Sequence, residues 1–469
     1  MYVYVVFDVE DLVHPDSDNV ALDIANLLAS DGITATMCVV GEKARLWERR
    51  GRQDVLAAVG RHDVGLHSNR HSIHPTPAEY LADKGWADGV AEAEQREGPG
   101  VSDLTRLFGR PPSTWATPGS SWAPQIPAAV ARLGLPSHVY SHAVAGQTGA
   151  CWFAGQLCFW DWQVLTGGED AYADDAATEA ALPQLLQRFE EGRRAGRACL
   201  GLFGAHPTRL RYKAFWDVLN YKGGVNTDPA QYRFAERRTD EEYATALRNL
   251  RRTILAVRDL PGVQIVPLRE LAVKFAPPQG NLPRAELLRL AQAVAESGEI
   301  SFDEPAASPA QLLDALVRSL VAMAGIGSVP TQMALRRVLG PVEPAPALPR
   351  PVTLFAETGV GMLQAYSRQV ASSGHLPASV SMGGTAVGPG PLLRMLAAAF
   401  AELQSGREPQ SVTLTPGAEE PAGAAALVEE QVIRSLPGWK PHRPDLQLDR
   451  LALHTRLQTW GLKPAALGA

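Results

Sequence analysis

From Tyr2 to about Phe275, apolar runs of strand length alternate with segments of helical periodicity, and no other feature of the sequence restricts the fold as much. Such an order favours an α/β architecture on a mostly parallel sheet or barrel, because each intervening helix returns the next strand parallel to the last. The predicted strands are Val3 to Phe7, Ala35 to Val40, Asp63 to Leu66, Ser137 to Tyr140, Leu200 to Gly204 and Val263 to Val266. Between them fall predicted helices Ala21 to Ala29, Ala181 to Arg194 and Asp240 to Val257. The last opens on Thr239 and Glu242, a capping-box pair whose hydroxyl and carboxylate satisfy orphan backbone donors.

The pattern stops at APPQGNLPRA, Ala276 to Ala285, where prolines and a glycine break the periodicity. With about 150 residues per domain as a guide, three units are expected: 1–276, 285–345 and 350–469. The later segments are rich in Ala and Leu at helical spacing, interrupted by Pro341 to Pro351 and by Pro409 to Gly423. Leu287 to Ile300 is similar to Met362 to Leu376, and each is followed by a proline and a Leu-Leu pair, Leu312-Leu313 and Leu392-Leu393. Two copies of a small helical unit fit that pattern.

Composition narrows the function classes. A net charge of −6, from 44 basic and 50 acidic residues, offers no basic field for a nucleic-acid backbone. No stretch approaches the ~20 apolar residues of a membrane span, so none is expected. The four cysteines, Cys38, Cys151, Cys158 and Cys199, form neither a disulfide framework nor a C-x-x-C zinc pair. Cys38 and Cys199 lie in apolar runs and read as core, whereas Cys151 and Cys158 flank an aromatic stretch and could pair in an exported protein. The N-terminus lacks a basic region and a small-residue cleavage site, which favours the cytoplasm; a removed leader would instead place the chain outside the cell or at its surface.

The first strand ends in FDVED, which gathers acids at the C-terminal mouth of a strand, where α/β sheets and barrels bind ligands. Strand alternation puts Asp8 and Glu10 on one face and Asp11 on the other unless the chain has already turned. The third strand ends in GLHSNRHSIHP and brings His67, His71 and His74 to the same mouth. At a spacing of four, one helical turn would aim both His67 and His71 at a common point. Two histidines and one carboxylate, Glu10 or Asp11, leave positions open for water, the pattern of a catalytic metal site. One divalent metal is expected; zinc is the first choice from the ligand types, with cobalt, nickel, manganese and iron also accepted by such donors.

With these motifs the chain resembles the polysaccharide deacetylase family. His67-Ser68-Asn69-Arg70-His71 fits the family's H-[ST]-x-x-H motif, and FDVED its aspartate-bearing first motif, with Val9 where the acidic ligand usually follows the base. The resemblance implies a distorted (β/α) barrel of fewer than eight strands over residues 1–276, followed by the mainly helical region. It further implies hydrolysis of an N-acetyl or related acyl group on an amino sugar or polysaccharide. Asp8 corresponds to the general base, His67 and His71 to metal ligands, and His206 in LGLFGAHP to the acid that protonates the departing amine. FWDW supplies Asp161 and Trp162 for the family's Asp-Trp motif. WATPGSSWAPQ matches its aromatic-Arg-x-Pro-Gly segment through Trp115, Pro118 and Gly119, but Ala116 replaces the arginine that pairs with the catalytic aspartate. Arg70 and Arg110 are the candidate substitutes.

Trp115, Trp122, Trp160 and Trp162 offer flat faces for a sugar ring, and His74 is expected to orient a metal ligand by hydrogen bonding to it. GHLPASVSMGG, in the C-terminal region, is similar to repeats that bind cell-wall polymers, so a wall-binding or interaction module is one expectation for that region. Two other functions stay open. Ala116 fits a catalytically impaired barrel that binds carbohydrate, and the same metal chemistry serves an amidohydrolase of small amides or cyclic ureides.

Overall fold

A computed structural model describes residues 1–139, 149–159, 162–348, 350–407 and 411–468, with the backbone alone at 352, 354–358 and 412. The first strand, β1 (Tyr2–Val9), is buried from Val3 onward, as an apolar run in the centre of a parallel sheet must be. Around it lie β2 (Thr36–Val39), β3 (Asp63–Leu66), β4 (Thr114–Ala116), β5 (Ser137–Val139), β6 (Ala150–Phe153), β7 (Gln156–Phe159), β8 (Trp162–Gln163), β9 (Cys199–Ala205) and β10 (Gln264–Ile265).

The path β7-β5-β4-β3-β2-β1-β9-β8 is parallel at every step, and β10 adds to β1 at Tyr2 and Val3. This curled, mostly parallel sheet with helices around it is a distorted (β/α) barrel. Among the described residues it carries eight parallel strands along that path, not fewer than eight, and it stays open between β8 and the far edge, where β6 runs antiparallel to β7.

The helix Asp240–Arg258 begins as expected, with Thr239 Oγ1 accepting from Glu242 N and the Glu242 carboxylate accepting from Thr239 N. Helices Ser17–Ser30 and Asp175–Arg194 start earlier than their apolar periodicity, because polar first turns do not enter that pattern; Asp174 caps the second by accepting from Ala176 N and Ala177 N. The 23-residue helix Trp86–Phe108 escapes sequence reading because Pro99 and several glycines interrupt it. One of them, Gly100, lets the helix lie against Asn69 in the loop after β3, where a Cβ would meet Leu66 and Asn69 at 3.0 to 3.2 Å.

Beyond the barrel, β11 (Asn281–Pro283) pairs antiparallel with β12 (Gln332–Ala334) and encloses helices Arg284–Ser297 and Pro309–Ile326. β13 (Val352–Phe355) pairs with β16 (Ser411–Leu414) and encloses Ala356–Ser373 and Pro389–Gln404, with a hairpin of β14 (Val380–Met382) and β15 (Thr385–Val387) between them.

These two β-α-α-β segments share one core, to which Leu287, Leu313, Leu316, Leu392 and Leu393 all belong. The expected division at 345–350 therefore separates strands, not cores. Nor does the second unit run to 469. Leu427, Val432, Leu436, Leu451 and Leu462 return to the barrel core, and β17 (Lys463–Pro464) pairs antiparallel with β6. An open edge of unpaired backbone groups is thereby covered.

The helix Pro309–Ile326 has the length and apolarity to cross a membrane, against the expectation of no such stretch. Its Leu313, Leu316 and Val317 are buried in the helical core, which accounts for that apolarity. All four cysteines are buried thiols outside any disulfide; Cys151 and Cys158 stand opposite each other on β6 and β7.

Candidate metal centre

The end of β1 and the loops after β3 and β9 converge at the barrel mouth. β1 carries Asp8 on its last turn of pleat, and Glu10 follows directly. Glu10 Oε2 lies 3.2 Å from His67 Nε2 and 2.9 Å from His71 Nε2. Asp8 Oδ2 lies 3.6 Å from His67 Nε2 and 3.7 Å from His206 Nε2. Asp8, Glu10, His67 and His71 are buried, and His206 is partly exposed.

The convergence of the two histidines does not come from a helical turn, as their spacing predicted. Ser68 and His71 both adopt left-handed backbone, at φ 57° and 51°, and Ser68 Oγ accepts from His71 N at 2.9 Å. Positive φ is uncommon outside glycine and clusters where function constrains the chain. The loop is braced by Glu97, which accepts from Asn69 N at 2.8 Å and from the Trp115 indole at 2.8 Å.

Each ring has its outer nitrogen engaged. His67 Nδ1 is 3.3 Å from the Ala116 carbonyl, and His71 Nδ1 is 2.7 Å from Ser72 Oγ, which donates to Asp217 Oδ2 at 2.9 Å. Both arrangements leave Nε2 turned toward Glu10. His71 Nε2 is buried and makes no aligned hydrogen bond. Together with Glu10 Oε2 and His67 Nε2, which gather within 4.8 Å, it forms the donor set that suits a divalent cation: two imidazoles, one carboxylate and room for water. The Trp216 indole holds the other Glu10 oxygen, donating to Oε1 at 3.1 Å.

Electrostatics divide the cluster. Burial alone would raise the pKa of Glu10, but the charges of His71 and His206 and the hydrogen bond with His67 hold it well below the carboxylate range. For His206, burial works against the charged form, yet the carboxylates of Glu10, Glu169 and Asp8 outweigh it and lift the pKa to about 10. Glu169 Oε1 sits 2.5 Å from His206 Nδ1 and also accepts from His206 N at 3.1 Å; its own pKa falls to about 2, His206 overcoming the opposing effect of burial.

Several expected site residues are elsewhere. Asp11 does not join the histidines: alternation sets it opposite Asp8 and Glu10, and its carboxylate accepts from Val13 N, His14 N and Thr208 Oγ1 and pairs with His14 Nδ1 at 2.8 Å. His74 pairs with Glu79 at 2.7 Å and lies 2.9 Å from the Tyr221 carbonyl, so it fastens loops and touches no expected ligand. Trp115 is buried against Glu97, and Trp122 is buried with its indole donating to Thr455 Oγ1 at 3.0 Å; neither presents a face at the mouth. Pro118 is buried and Gly119 exposed. Trp162 packs on Phe203, and the two line a cleft of about 180 Å³ with His206. Asp161 and Trp160 lie outside the described residues.

Neither candidate arginine replaces the one missing at Ala116. Arg110 donates to the His62 carbonyl, and Arg70 is exposed along a cleft of about 450 Å³ that His71 also lines and Asp8 does not. Charge reaches Asp8 from His206 instead. Sequence reading missed Glu169, Ser72, Asp217 and Trp216. The signal available was weak: a Gly-Gly-Glu after a strand, and an aromatic-acidic pair in FWDVLN.

No family model and no curated protein matches the chain. Among solved structures it is similar to a family 4 carbohydrate esterase from Streptomyces lividans in complex with acetate, at 15% identity over 54% of this chain and 88% of that one, with a TM-score of 0.29. It is similar to Puue allantoinase at 12% identity over 58% and 89%, with a TM-score of 0.35. A third is a mutant of the BA3943 pseudoenzyme of the CE4 family, at 12% identity over 58% and 67%, with a TM-score of 0.33. Likenesses this distant bear on neither activity nor substrate.

Proposed function

We propose that the chain is a metal-dependent hydrolase that removes an N-acetyl or related acyl group from an amino sugar or polysaccharide. The observation that carries this reading is the convergence of Glu10, His67 and His71 on one point with Asp8 and His206 flanking it. A divalent cation at Glu10, His67 and His71, zinc by ligand type, would supply Lewis-acid polarisation of the acyl oxygen and a water of lowered pKa.

The protein's own groups divide the proton work. Asp8 takes the proton of the attacking water, and His206, whose charged form the Glu169 and Asp8 carboxylates favour, delivers one to the departing nitrogen. Glu169 holds the His206 ring by its Nδ1, which leaves Nε2 as the atom that faces Asp8 and the substrate.

The test is metal content and acetate release from N-acetylated chitooligosaccharides by the purified chain. About one metal per chain is expected, with loss of release in His67→Ala and Asp8→Asn. Retained release in both variants would overturn the assignment. Glycan binding without release would favour the impaired carbohydrate-binding barrel, and turnover restricted to small amides would move the substrate to that class.

A further inference from the structure

The C-terminal segment that follows the helical core returns to the barrel and passes beside the candidate metal centre on its way to β17. Its Trp439 indole stands edge-on to the His71 ring with centroids 5.6 Å apart, on a ring that also packs against Trp216. Trp439 is half-buried, so its ring is in contact with His71 without being sealed in the core. Three separate parts of the barrel hold the segment in place. Ser120 Oγ donates to the Ser435 carbonyl at 2.8 Å, and His442 Nε2 is 3.0 Å from Ser121 Oγ. Glu79 accepts from Arg443 N at 2.9 Å, and the Lys440 and Pro441 carbonyls accept from Gly223 N and Gly224 N at 3.0 and 2.9 Å.

Gly119 is the receiving surface. It has φ 51°, and a Cβ there would collide with the Trp439 indole. Residue 119 thus has two reasons to be glycine, the left-handed backbone and the close approach of the indole. A segment stitched to three parts of the barrel, with a cleared seat for one half-exposed aromatic ring beside a metal ligand, is more than packing of a terminus requires.

We propose that Trp439 is a substrate-contacting wall of the site, presenting its indole to the apolar face of a pyranose ring, so that the C-terminal segment completes the binding site of the barrel. This rests on the deacetylase reading above. Rigid aromatic faces supply large contact area at low entropic cost.

The test uses the full-length, zinc-loaded chain and tri-N-acetylchitotriose, with Trp439→Leu, Trp439→Phe and Gly119→Ala; the last displaces the indole without removing it and carries the test if the leucine variant does not fold. KM is expected to rise about tenfold in the leucine and Gly119→Ala variants and to recover in the phenylalanine variant, with kcat changed less than twofold and zinc affinity unchanged by chelator competition. A KM within twofold of the parent in the leucine and Gly119→Ala variants overturns the proposal. So does a loss of zinc affinity equal to the rise in KM, which would make Trp439 a support for His71. If the parent chain releases no acetate, the deacetylase reading fails by itself, and calorimetric binding of chitotriose decides: tighter binding by the parent than by the leucine variant supports the wall, and equal or absent binding overturns it.

Discussion

Asp217→Asn should weaken metal binding although residue 217 touches no expected ligand. Ser72 Oγ donates to Asp217 Oδ2 at 2.9 Å and lies 2.7 Å from His71 Nδ1. With its proton committed to the carboxylate, the Ser72 oxygen accepts from Nδ1–H, and Nε2 keeps its lone pair toward Glu10 and His67. An amide at 217 also has a donor, which permits the reverse polarity: Ser72 donates to Nδ1, and the proton moves to Nε2, where it blocks coordination. Loss of such an outer partner costs about 10- to 100-fold in metal affinity, or ~1.4–2.7 kcal/mol.

The metal-free protein should respond in the opposite sense. Burial, and then the charge of Glu10, push the Asp217 pKa up to about 6. An acid with a raised folded pKa costs stability as pH rises from its unfolded value through the folded one, and the cost is complete above about 6. The asparagine variant escapes that cost. Zinc titration against a chromophoric chelator at pH 7.5 reads the first effect, and thermal melts of the metal-free chains read the second. An affinity within twofold of the parent, or a metal-free variant that melts lower than the parent above pH 6, would refute the reasoning.

Two further outcomes test the architecture. A fragment of residues 1–276 should show no cooperative melt, because it loses Leu427, Val432, Leu436, Leu451 and Leu462 from the barrel core. Losses of ~2–5 kcal/mol per large core side chain come to about 10–25 kcal/mol for the five, as large as the ~5–15 kcal/mol that stabilises a typical domain; a fragment that melts like the full chain would restore the expected boundary at 276. The Glu79–His74 pair should give stability with an acid limb. Against burial, hydrogen bonds from His74, Thr76 N and Arg443 N pull Glu79 from 4.5 to about 2, so its contribution is complete above pH 4.5 and disappears as pH falls through about 2. Glu79→Gln should flatten the melting temperature across that window, and an unchanged slope would remove the pair from the account.

Local pattern was enough for a mostly parallel α/β sheet and for the strand ends at which the candidate site lies. Apolar alternation and strand-length spacing are local properties, and they placed β3 at Asp63–Leu66 and the capped helix at Asp240. His67, His71, Asp8 and Glu10 were legible because residue types and strand-end positions mark them. The resemblance to the deacetylase family pointed to His206, which the structure places beside Asp8.

The tertiary structure decided what lies far apart in the chain. Alternation set Glu10 beside Asp8, and the Asp11 carboxylate is held away from the histidines by backbone donors and by Thr208, 197 residues away. Glu169 reaches His206 across 37 residues and Asp217 reaches Ser72 across 145; no local pattern encodes such pairs. The return of residues 424–465 to the barrel is likewise silent in the sequence, since the same Ala- and Leu-rich periodicity would serve a separate helical bundle. Only the open edge of β6 and the apolar ground around Leu427 and Leu451 direct that segment home.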